Sequence, residues 1–238
     1  ADAGRWFAEI PLITKTLVFG SLGLSVLGYY GIIPPLYLFL SYPFAIEKFQ
    51  IWRFVSAAFW VEKIGFPYLV NLVFLYKHSS QLEKFEFAGR QADYLFFLLF
   101  SGFFLTLVGL AFPFYSTFLG LLFAILYYWS RKFEDVDVKF WFGISFKGRW
   151  LPWALLVLNM LLGRGIPFRQ LAGIICAHIY YFLTTVYPVS TNSRPLISTP
   201  WFLYKLFPND QPPSSVVQNY STHLSDQFQG QARTLGGH

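Results

Sequence analysis

The chain has 238 residues, of which 55% are hydrophobic, 22% are aromatic and only 13% are charged, and its mean hydropathy is +0.46. A soluble domain carries about a quarter charged residues, so the composition excludes that class and indicates an integral membrane protein. The net charge of +6 does not indicate nucleic-acid binding, because the basic residues border apolar segments and form no single patch. The one cysteine, Cys176, excludes an intramolecular disulfide framework. No His, Cys, Asp or Glu spacing indicates a metal site, and no cofactor is expected.

The N-terminal part of the chain predicts a surface segment, a span and a loop. Segment 1–16 is predicted to be amphipathic and to lie on the membrane surface. The first span is predicted at Leu17–Ile33, where two prolines end it. Leu36–Phe49 is aromatic but broken by Pro43, which is typical of an interfacial loop and not of a span.

The apolar segments that follow differ in length. Phe66–Tyr76 is apolar for only 11 residues, whereas about 20 normally cross a bilayer, so this helix is predicted to be short or sheltered by protein. Tyr94–Trp129 is apolar for 36 residues, about 54 Å as one helix, and therefore predicts a hairpin that turns at Pro113. Leu151–Gly163 is another short apolar helix, and Leu171–Tyr187 is the last predicted span.

These segments together predict an all-α integral membrane fold. We expect a bundle of six transmembrane helices over 17–187, with a large interfacial first loop. The Pro, Ser, Asn and Gln content of 188–238 predicts a largely disordered tail. With the N-terminus in the cytosol, 13 Lys and Arg residues lie on the cytosolic side and 5 on the other. The positive-inside rule therefore predicts that both termini are cytosolic.

Polar and small residues within the apolar segments mark candidate sites, because polar groups are costly there. Trp52 is expected to anchor the first loop at headgroup depth. Arg53 is expected either to hold that loop against the helices or lipid phosphates, or simply to snorkel to the interface. Asn71 is expected to make an interhelical hydrogen bond worth roughly 1 kcal/mol. Gly173 and Ala177, four residues apart, are predicted to let their helix approach a neighbour closely.

Seven short motifs, in this order, resemble the derlins, which belong to the rhomboid superfamily. The motifs are Ile10-Pro11-x-Ile13-Thr14, Gln50-Ile51-Trp52-Arg53, Ser80-Gln81-Leu82-Glu83, Ala92-Asp93-Tyr94-Leu95-Phe96, Phe140-Trp141-Phe142-Gly143, Leu151-Pro152-Trp153 and Ser198-Thr199-Pro200. The resemblance covers roughly residues 5–205 and implies a rhomboid-like bundle in the endoplasmic reticulum membrane. It also implies that Glu83 accepts hydrogen bonds from the backbone of the first loop. Ala177 stands where derlins have the second Gly of a functional Gly-x-x-x-Gly pair.

The catalytic pair of active rhomboids is missing from this sequence. These serine proteases need a Gly-x-Ser-Gly nucleophile and a His base three residues before the first small residue of their last helix, since a serine hydroxyl is a weak nucleophile without a base. The Gly-x-Ser strings here end at Ser25 and Ser145, and neither is followed by Gly. The base position is Gln170, and Pro67 stands where a rhomboid His precedes Asn71 by four residues. The sequence therefore predicts a pseudoprotease with no catalytic residues.

The tail contains a short sequence that resembles a motif of the derlins. Phe228, Gly230, Leu235 and Gly236 match the motif by which derlins recruit the valosin-containing AAA ATPase, although Ala232 replaces its second Gly. The resemblance implies a non-catalytic factor of endoplasmic-reticulum-associated degradation. It would move misfolded proteins to the cytosol together with this ATPase and a membrane RING ubiquitin ligase complex, either alone or in a homo- or hetero-oligomer.

The short apolar helices suggest a mechanism of their own, since a hydrophobic mismatch thins the surrounding bilayer. Two alternatives stay open at this point. One is an oligomeric protein-conducting channel, and the other is an ion or solute transporter with Asn71 and Asn159 along a polar path.

Overall fold

A computed structural model describes residues 2–112, 114–139, 145–161, 166–192 and 195–207, and most of them are helical. The described α-helices, named in chain order, are α1 Asp2–Glu9, α2 Leu12–Tyr29, α3 Trp52–Phe59, α4 Phe66–Gln81, α5 Gln91–Ala111, α6 Phe118–Lys132, α7 Leu151–Leu161, α8 Phe168–Tyr181, α9 Tyr187–Thr191 and α10 Trp201–Leu206. Two short strands, β1 Asp137–Lys139 and β2 Ser145–Lys147, form an antiparallel pair. The predicted helical class is confirmed, and this hairpin, in the charged loop after α6, is a small exception to it.

Three of the described helices are long and apolar enough to cross a membrane. They are α2, α5 and the continuous helix 168–191, in which a π-helical turn at Phe182–Val186 joins α8 to α9. The sequence places the first and last spans at Leu17–Ile33 and Leu171–Tyr187. The helices instead begin at Leu12 and Phe168, directly after Pro11 and Pro167, which occupy their N-cap positions. Residues 12–16 therefore form one continuous helix with residues 17–29.

Helix α4 is longer than the predicted Phe66–Tyr76. It runs for 16 residues to Gln81 and continues into a π-helical turn at Leu82–Glu86. The polar residues that follow Tyr76 do not end the helix, because three of them, His78, Ser79 and Ser80, are buried against protein. Hydropathy alone places the end of such a helix too early.

Two helices, α5 and α6, divide Tyr94–Trp129 as the predicted hairpin requires, and Pro113, where the sequence places the turn, lies outside the described residues. Helix α6 is the centre of the bundle and packs against α4, α5, α7 and α8. From Phe118 to Ser130, every residue of α6 except Leu119 is buried. A helix that is apolar on all sides is expected to be enclosed by other helices, and its 15 residues need not match the bilayer thickness themselves.

The first loop folds into short helical turns and α3, and it is tied to the α5–α6 connection. Leu40 N–H donates to the Tyr115 carbonyl at 2.9 Å, and Thr117 N–H donates to the Ala57 carbonyl at 2.9 Å. The Ser116 hydroxyl donates to the Trp60 carbonyl at 2.6 Å. Hydrogen bonds donated by the loop and by the α5–α6 connection therefore fix the loop on one end of the bundle.

Candidate functional site

The Glu83 carboxylate lies at the N-terminus of α2 and is nearly buried, with 4% of the residue exposed. It accepts hydrogen bonds from Ile13 N–H at 3.0 Å, Thr14 N–H at 2.8 Å and the Thr14 hydroxyl at 2.8 Å. Pro11 at the N-cap offers no side chain to satisfy these amides, so Glu83 supplies the cap from another helix. A negative charge is favourable at this end of a helix, because it interacts with the unpaired N–H groups and with the positive end of the helix dipole.

The same carboxylate belongs to a chain of buried hydroxyl groups that connects three helices. The Thr14 and Ser79 hydroxyl oxygens are 2.8 Å apart, and the Ser79 and Tyr94 hydroxyl oxygens are 2.7 Å apart. We call Thr14, Ser79, Glu83 and Tyr94 the Glu83 network. It joins α2, α4 and α5. The resemblance implies that Glu83 contacts the backbone of the first loop, but the backbone that it contacts is the start of α2.

Arg53 is buried inside the first loop, with only 1% of the residue exposed. Its Nη1 donates to the carbonyls of Leu36 at 2.6 Å and Phe39 at 2.8 Å, and its Nε donates to Gln50 Oε1 at 2.8 Å. Burial lowers the pKa of the Arg53 guanidinium, which still remains protonated because its ordinary pKa is far above neutral.

The snorkelling interpretation of Arg53 is therefore wrong, because the guanidinium holds the loop together from within. The guanidinium carbon also lies 4.8 Å from the centre of the Phe44 ring, within the range of a cation–π contact. Trp52, next in sequence, is 52% exposed on the outside of the loop. Its role as a headgroup anchor stays a prediction.

Asn71 and Asn159 do not connect helices among the described residues. The half-buried Asn71 amide has no hydrogen-bonding partner there, so the expected interhelical bond is not found. The Asn159 amide donates to the Leu155 carbonyl of its own helix at 2.8 Å. Neither side chain marks a polar path between helices.

Gly173 lies where α8 crosses α6. A Cβ placed on Gly173 would meet the Gly120 backbone, with the Gly120 carbonyl carbon at 2.8 Å and Cα at 3.1 Å. A Cβ on Gly120 would approach Leu105 Cδ2 of α5 at 2.7 Å and the Arg169 carbonyl oxygen of α8 at 3.1 Å. Ala177, one turn further along α8, is fully buried. The two backbones therefore touch through a pair of glycines, of which the sequence indicates only one.

Asp93 connects the start of α5 to the segment that contains α10. Its Oδ1 accepts hydrogen bonds from the Thr199 hydroxyl at 2.6 Å and the Tyr204 hydroxyl at 3.0 Å. Arg90 Nη1 lies 3.8 Å from the other carboxylate oxygen. A tyrosine hydroxyl is protonated at neutral pH and can donate, and burial raises the pKa of the Tyr204 hydroxyl further. Residues 195–207 thus have a defined conformation within the segment 188–238, whose composition predicts a largely disordered tail.

An apolar groove of about 650 Å³ runs between α2, α3 and α5. Leu12 and Leu95 line one end, and Ile46 and Leu110 line the other. Phe207, directly after α10, also lines the groove. The groove thus extends along most of the length of α5, and the segment held by Asp93 contributes a side chain to it.

The two serines of the Gly-x-Ser strings and the histidines His78 and His178 have other surroundings. The Ser25 hydroxyl accepts a hydrogen bond from Val61 N–H at 3.1 Å, and Ser145 begins strand β2. His178 Nδ1 is 2.7 Å from the Tyr127 hydroxyl, and His78 Nδ1 is 2.9 Å from the Phe74 carbonyl. No group of three or more metal-binding side chains is found in the part of the chain that the structure describes.

Several site residues could have been found from the sequence, because they lie in the motifs that carry the resemblance. Thr14, Tyr94, Asp93 and Thr199 each belong to such a motif, but a motif does not say which other motif it contacts. Gly120 had no signal beyond being a glycine in an apolar helix. The ATPase-recruiting residues Phe228, Gly230, Leu235 and Gly236, and the Phe140–Gly143 motif, lie outside the described residues.

Comparison with known proteins shows the family. The model of the Der1-like family matches residues 10–201. Human Derlin-1 is 40% identical over 212 residues, which cover 88% of this chain and 84% of that protein. Derlin-1 of Caenorhabditis elegans is 35% identical over 88% of this chain and 86% of that protein, and Derlin-1 of Drosophila melanogaster is 33% identical over 87% and 85%. The chain belongs to the Der1-like, or derlin, family.

Proposed function

We propose that this membrane protein is a non-catalytic component of endoplasmic-reticulum-associated degradation that promotes the retrotranslocation of misfolded proteins to the cytosol. The observation that carries the proposal is family membership over residues 10–201. The absence of proteolysis is supported by Gln170 at the position of the rhomboid base. The hydrogen bonds of Ser25 to backbone groups support it further.

The proposed arrangement is a rhomboid-like bundle of six spans in the endoplasmic reticulum membrane, with both termini in the cytosol. Helices α4, α6 and α7 would be the additional spans beside the three long ones. The proposed partners are misfolded substrates, the valosin-containing AAA ATPase, a membrane RING ubiquitin ligase complex and further copies of this or a related chain. The distribution of Lys and Arg supports the orientation.

The proposed mechanism is local thinning of the bilayer, and α7 is the element that supports it. Its 11 residues extend about 16 Å at 1.5 Å per residue, against a hydrocarbon core of about 30 Å. Trp153, Val157 and Leu161 are exposed on its outer side, where lipid would meet them. The 16 residues of α4 extend about 24 Å. This length is closer to the thickness of the hydrocarbon core than that of the 11-residue helix predicted from the sequence, so the support of α4 for thinning is weaker.

A helix-lengthening experiment tests this mechanism. Four leucines inserted after Leu156 would extend α7 by about 6 Å and reduce the mismatch, so we expect the rate at which a misfolded luminal reporter reaches the cytosol to fall severalfold. The control is the same insertion after Leu99 in α5, which is already long enough to span. Unchanged extraction by the folded α7 variant would rule out thinning by this helix.

A transporter function has weaker support. Asn159 is bonded within its own helix, and the large groove is apolar. We therefore do not place a solute path through these residues.

A further inference from the structure

The contacts of Asp93 join two parts of the chain that are more than 100 positions apart. The Thr199 and Tyr204 hydroxyls both donate to Asp93 Oδ1, at 2.6 and 3.0 Å. Hydrogen bonds to an ionised acceptor are about twice as strong as neutral ones. The carboxylate is also mostly shielded, with 15% of the side chain exposed. These two bonds are therefore well placed to hold the segment in position.

The segment that contains α10 is too short and too exposed to be expected to stay ordered without these contacts. Helix α10 has only 6 residues, whereas isolated helices shorter than about 12 residues are marginal in water. Most of its side chains are exposed, and Leu203 is the buried one. Phe207 contributes to the apolar groove. The contacts that can keep the segment ordered are therefore those of Asp93, the burial of Leu203 and the position of Phe207 at the groove.

We propose that Asp93 is a positioning residue that latches segment Thr199–Phe207 onto the start of α5 and thereby fixes the point from which residues 208–238 leave the membrane domain. We call this arrangement the Asp93 latch. Its functional consequence rests on the proposed function, because the ATPase-recruiting residues Phe228–Gly236 follow the latch in the chain. The latch itself rests on the described contacts alone.

The latch shortens the tether between the membrane domain and the ATPase motif. About 20 residues separate Phe207 from Phe228, and about 36 separate the end of α9 from Phe228. For a flexible chain, as the composition of the tail predicts, effective concentration falls with about the −3/2 power of length. Opening the latch would therefore lower the effective concentration of the recruited ATPase at the membrane domain about twofold.

Trypsin cleavage after Lys205 reports the state of the latch. Lys205 is exposed but lies within α10, so cleavage requires local unfolding of the segment. In the purified full chain in detergent, we expect Asp93→Ala to accelerate this cleavage at least about tenfold, since two charge-assisted hydrogen bonds are lost. The control is Asp135→Ala, which removes an exposed carboxylate paired with Arg149 and should leave the rate unchanged.

A second set of variants separates the latch from a general effect on folding. Thr199→Val with Tyr204→Phe removes both donors but leaves Asp93 and Arg90 in place. This variant should accelerate cleavage to the same extent as Asp93→Ala, and the combined variant should not accelerate it further. Unchanged cleavage in the Thr199→Val/Tyr204→Phe chain, or effects that multiply when combined, would overturn the latch.

The functional arm uses retrotranslocation of a misfolded luminal reporter. Opening the latch should slow extraction about twofold, and 16 Gly and Ser residues inserted after Phe207 should slow it equally in the latched chain. Normal extraction after removal of Phe228–Gly236 would refute recruitment of the ATPase by these residues. It would not affect the conclusion about the latch that trypsin cleavage gives. Slower extraction after removal of Phe228–Gly236, together with no effect of the Gly/Ser insertion, would refute positioning by the latch.

Discussion

Glu83 and Arg53 are charged side chains that the protein encloses almost completely, and both are held by hydrogen bonds to backbone groups. Burial of an unpaired charge costs several kcal/mol or more, so each charge needs donors or acceptors arranged around it. Glu83 receives two N–H groups at the start of α2, and Arg53 faces two carbonyls of the first loop. In both cases the charged group satisfies backbone that would otherwise lack partners within an apolar protein.

Glu83→Gln tests the capping role. An amide keeps the shape of the carboxylate but turns one acceptor into a donor, which would then face Thr14 N–H or Ile13 N–H. We expect the free energy of unfolding in detergent to fall by about 1–3 kcal/mol, measured as a lower thermal midpoint. Glu62→Gln is the control, because the partly exposed Glu62–Arg169 pair should contribute at most about 1 kcal/mol. Equal effects of the two substitutions would contradict the role of the Glu83 network.

The sequence identified Arg53 and Glu83 as unusual but could not assign their partners. A charge in an apolar segment is visible in composition, because it breaks the pattern. Its partner is a carbonyl or an N–H group that every residue carries, so the partner leaves no trace in the sequence. The same limit explains Asn71, whose expected bond depends on which helix faces it.

At the level of elements, the crossing of α6 and α8 sets the distance between the central helix and its neighbour. Gly120 and Gly173 bring the two backbones into contact. Close approach through small residues increases van der Waals packing, which contributes to helix association in membranes. The sequence indicates the small residues on α8, but the matching glycine on α6 emerges only from the packing.

Gly173→Ala tests this crossing. The added methyl group would collide with the Gly120 backbone, which cannot turn away as a flexible side chain could. We expect a loss of at least about 1–3 kcal/mol, as for other overpacked positions, seen as a lower thermal midpoint. Gly23→Ala is the matched control, because nothing lies within 4 Å of a Cβ there. It should be neutral or stabilising by up to about 1 kcal/mol, and a loss equal to that of Gly173→Ala would refute the crossing.

Helix boundaries show where hydropathy fails at this scale. The end of α4 contains His78, Ser79 and Ser80, which read as solvent-exposed but are buried. The Ser79 hydroxyl is satisfied by Thr14 and Tyr94 from other helices. The prolines before α2 and α8 mark their starts better than hydropathy does, because proline lacks an N–H group and is therefore compatible with the start of a helix but not with its interior.

At the level of the whole molecule, α6 forms the centre and the other helices enclose it. Helix length therefore matters differently in the two cases: a helix that meets lipid distorts the bilayer when it is too short, whereas an enclosed helix does not. Helix α5 is long, α6 is short, and both belong to one hairpin. Helix α6 is thus short because it is enclosed, whereas α7, with its exposed side, supports the proposed lipid mismatch and does so more strongly than α4.

The proposed orientation is tested by glycosylation. Asn219-Tyr220-Ser221 is an acceptor sequence, but a cytosolic tail never meets the luminal transferase. We expect Asn219 to stay unmodified when the chain is expressed in eukaryotic cells, as read from the mobility of the protein with and without a glycosidase. A sequon-bearing insertion after Glu62, in the loop assigned to the lumen, is the control and should be modified. A glycan on Asn219 would reverse the proposed topology.

The sequence alone determined that this is a helical membrane protein of the derlin family, because apolar content, charge distribution and ordered motifs are properties of the chain itself. It also located the α5–α6 hairpin, since one helix of that length would exceed the bilayer. Only the tertiary structure decided that Glu83 caps α2, that Arg53 faces inward, that Gly120 meets Gly173 and that Asp93 holds Thr199. Each of these is a contact between distant segments, and its partner is set by how the helices pack.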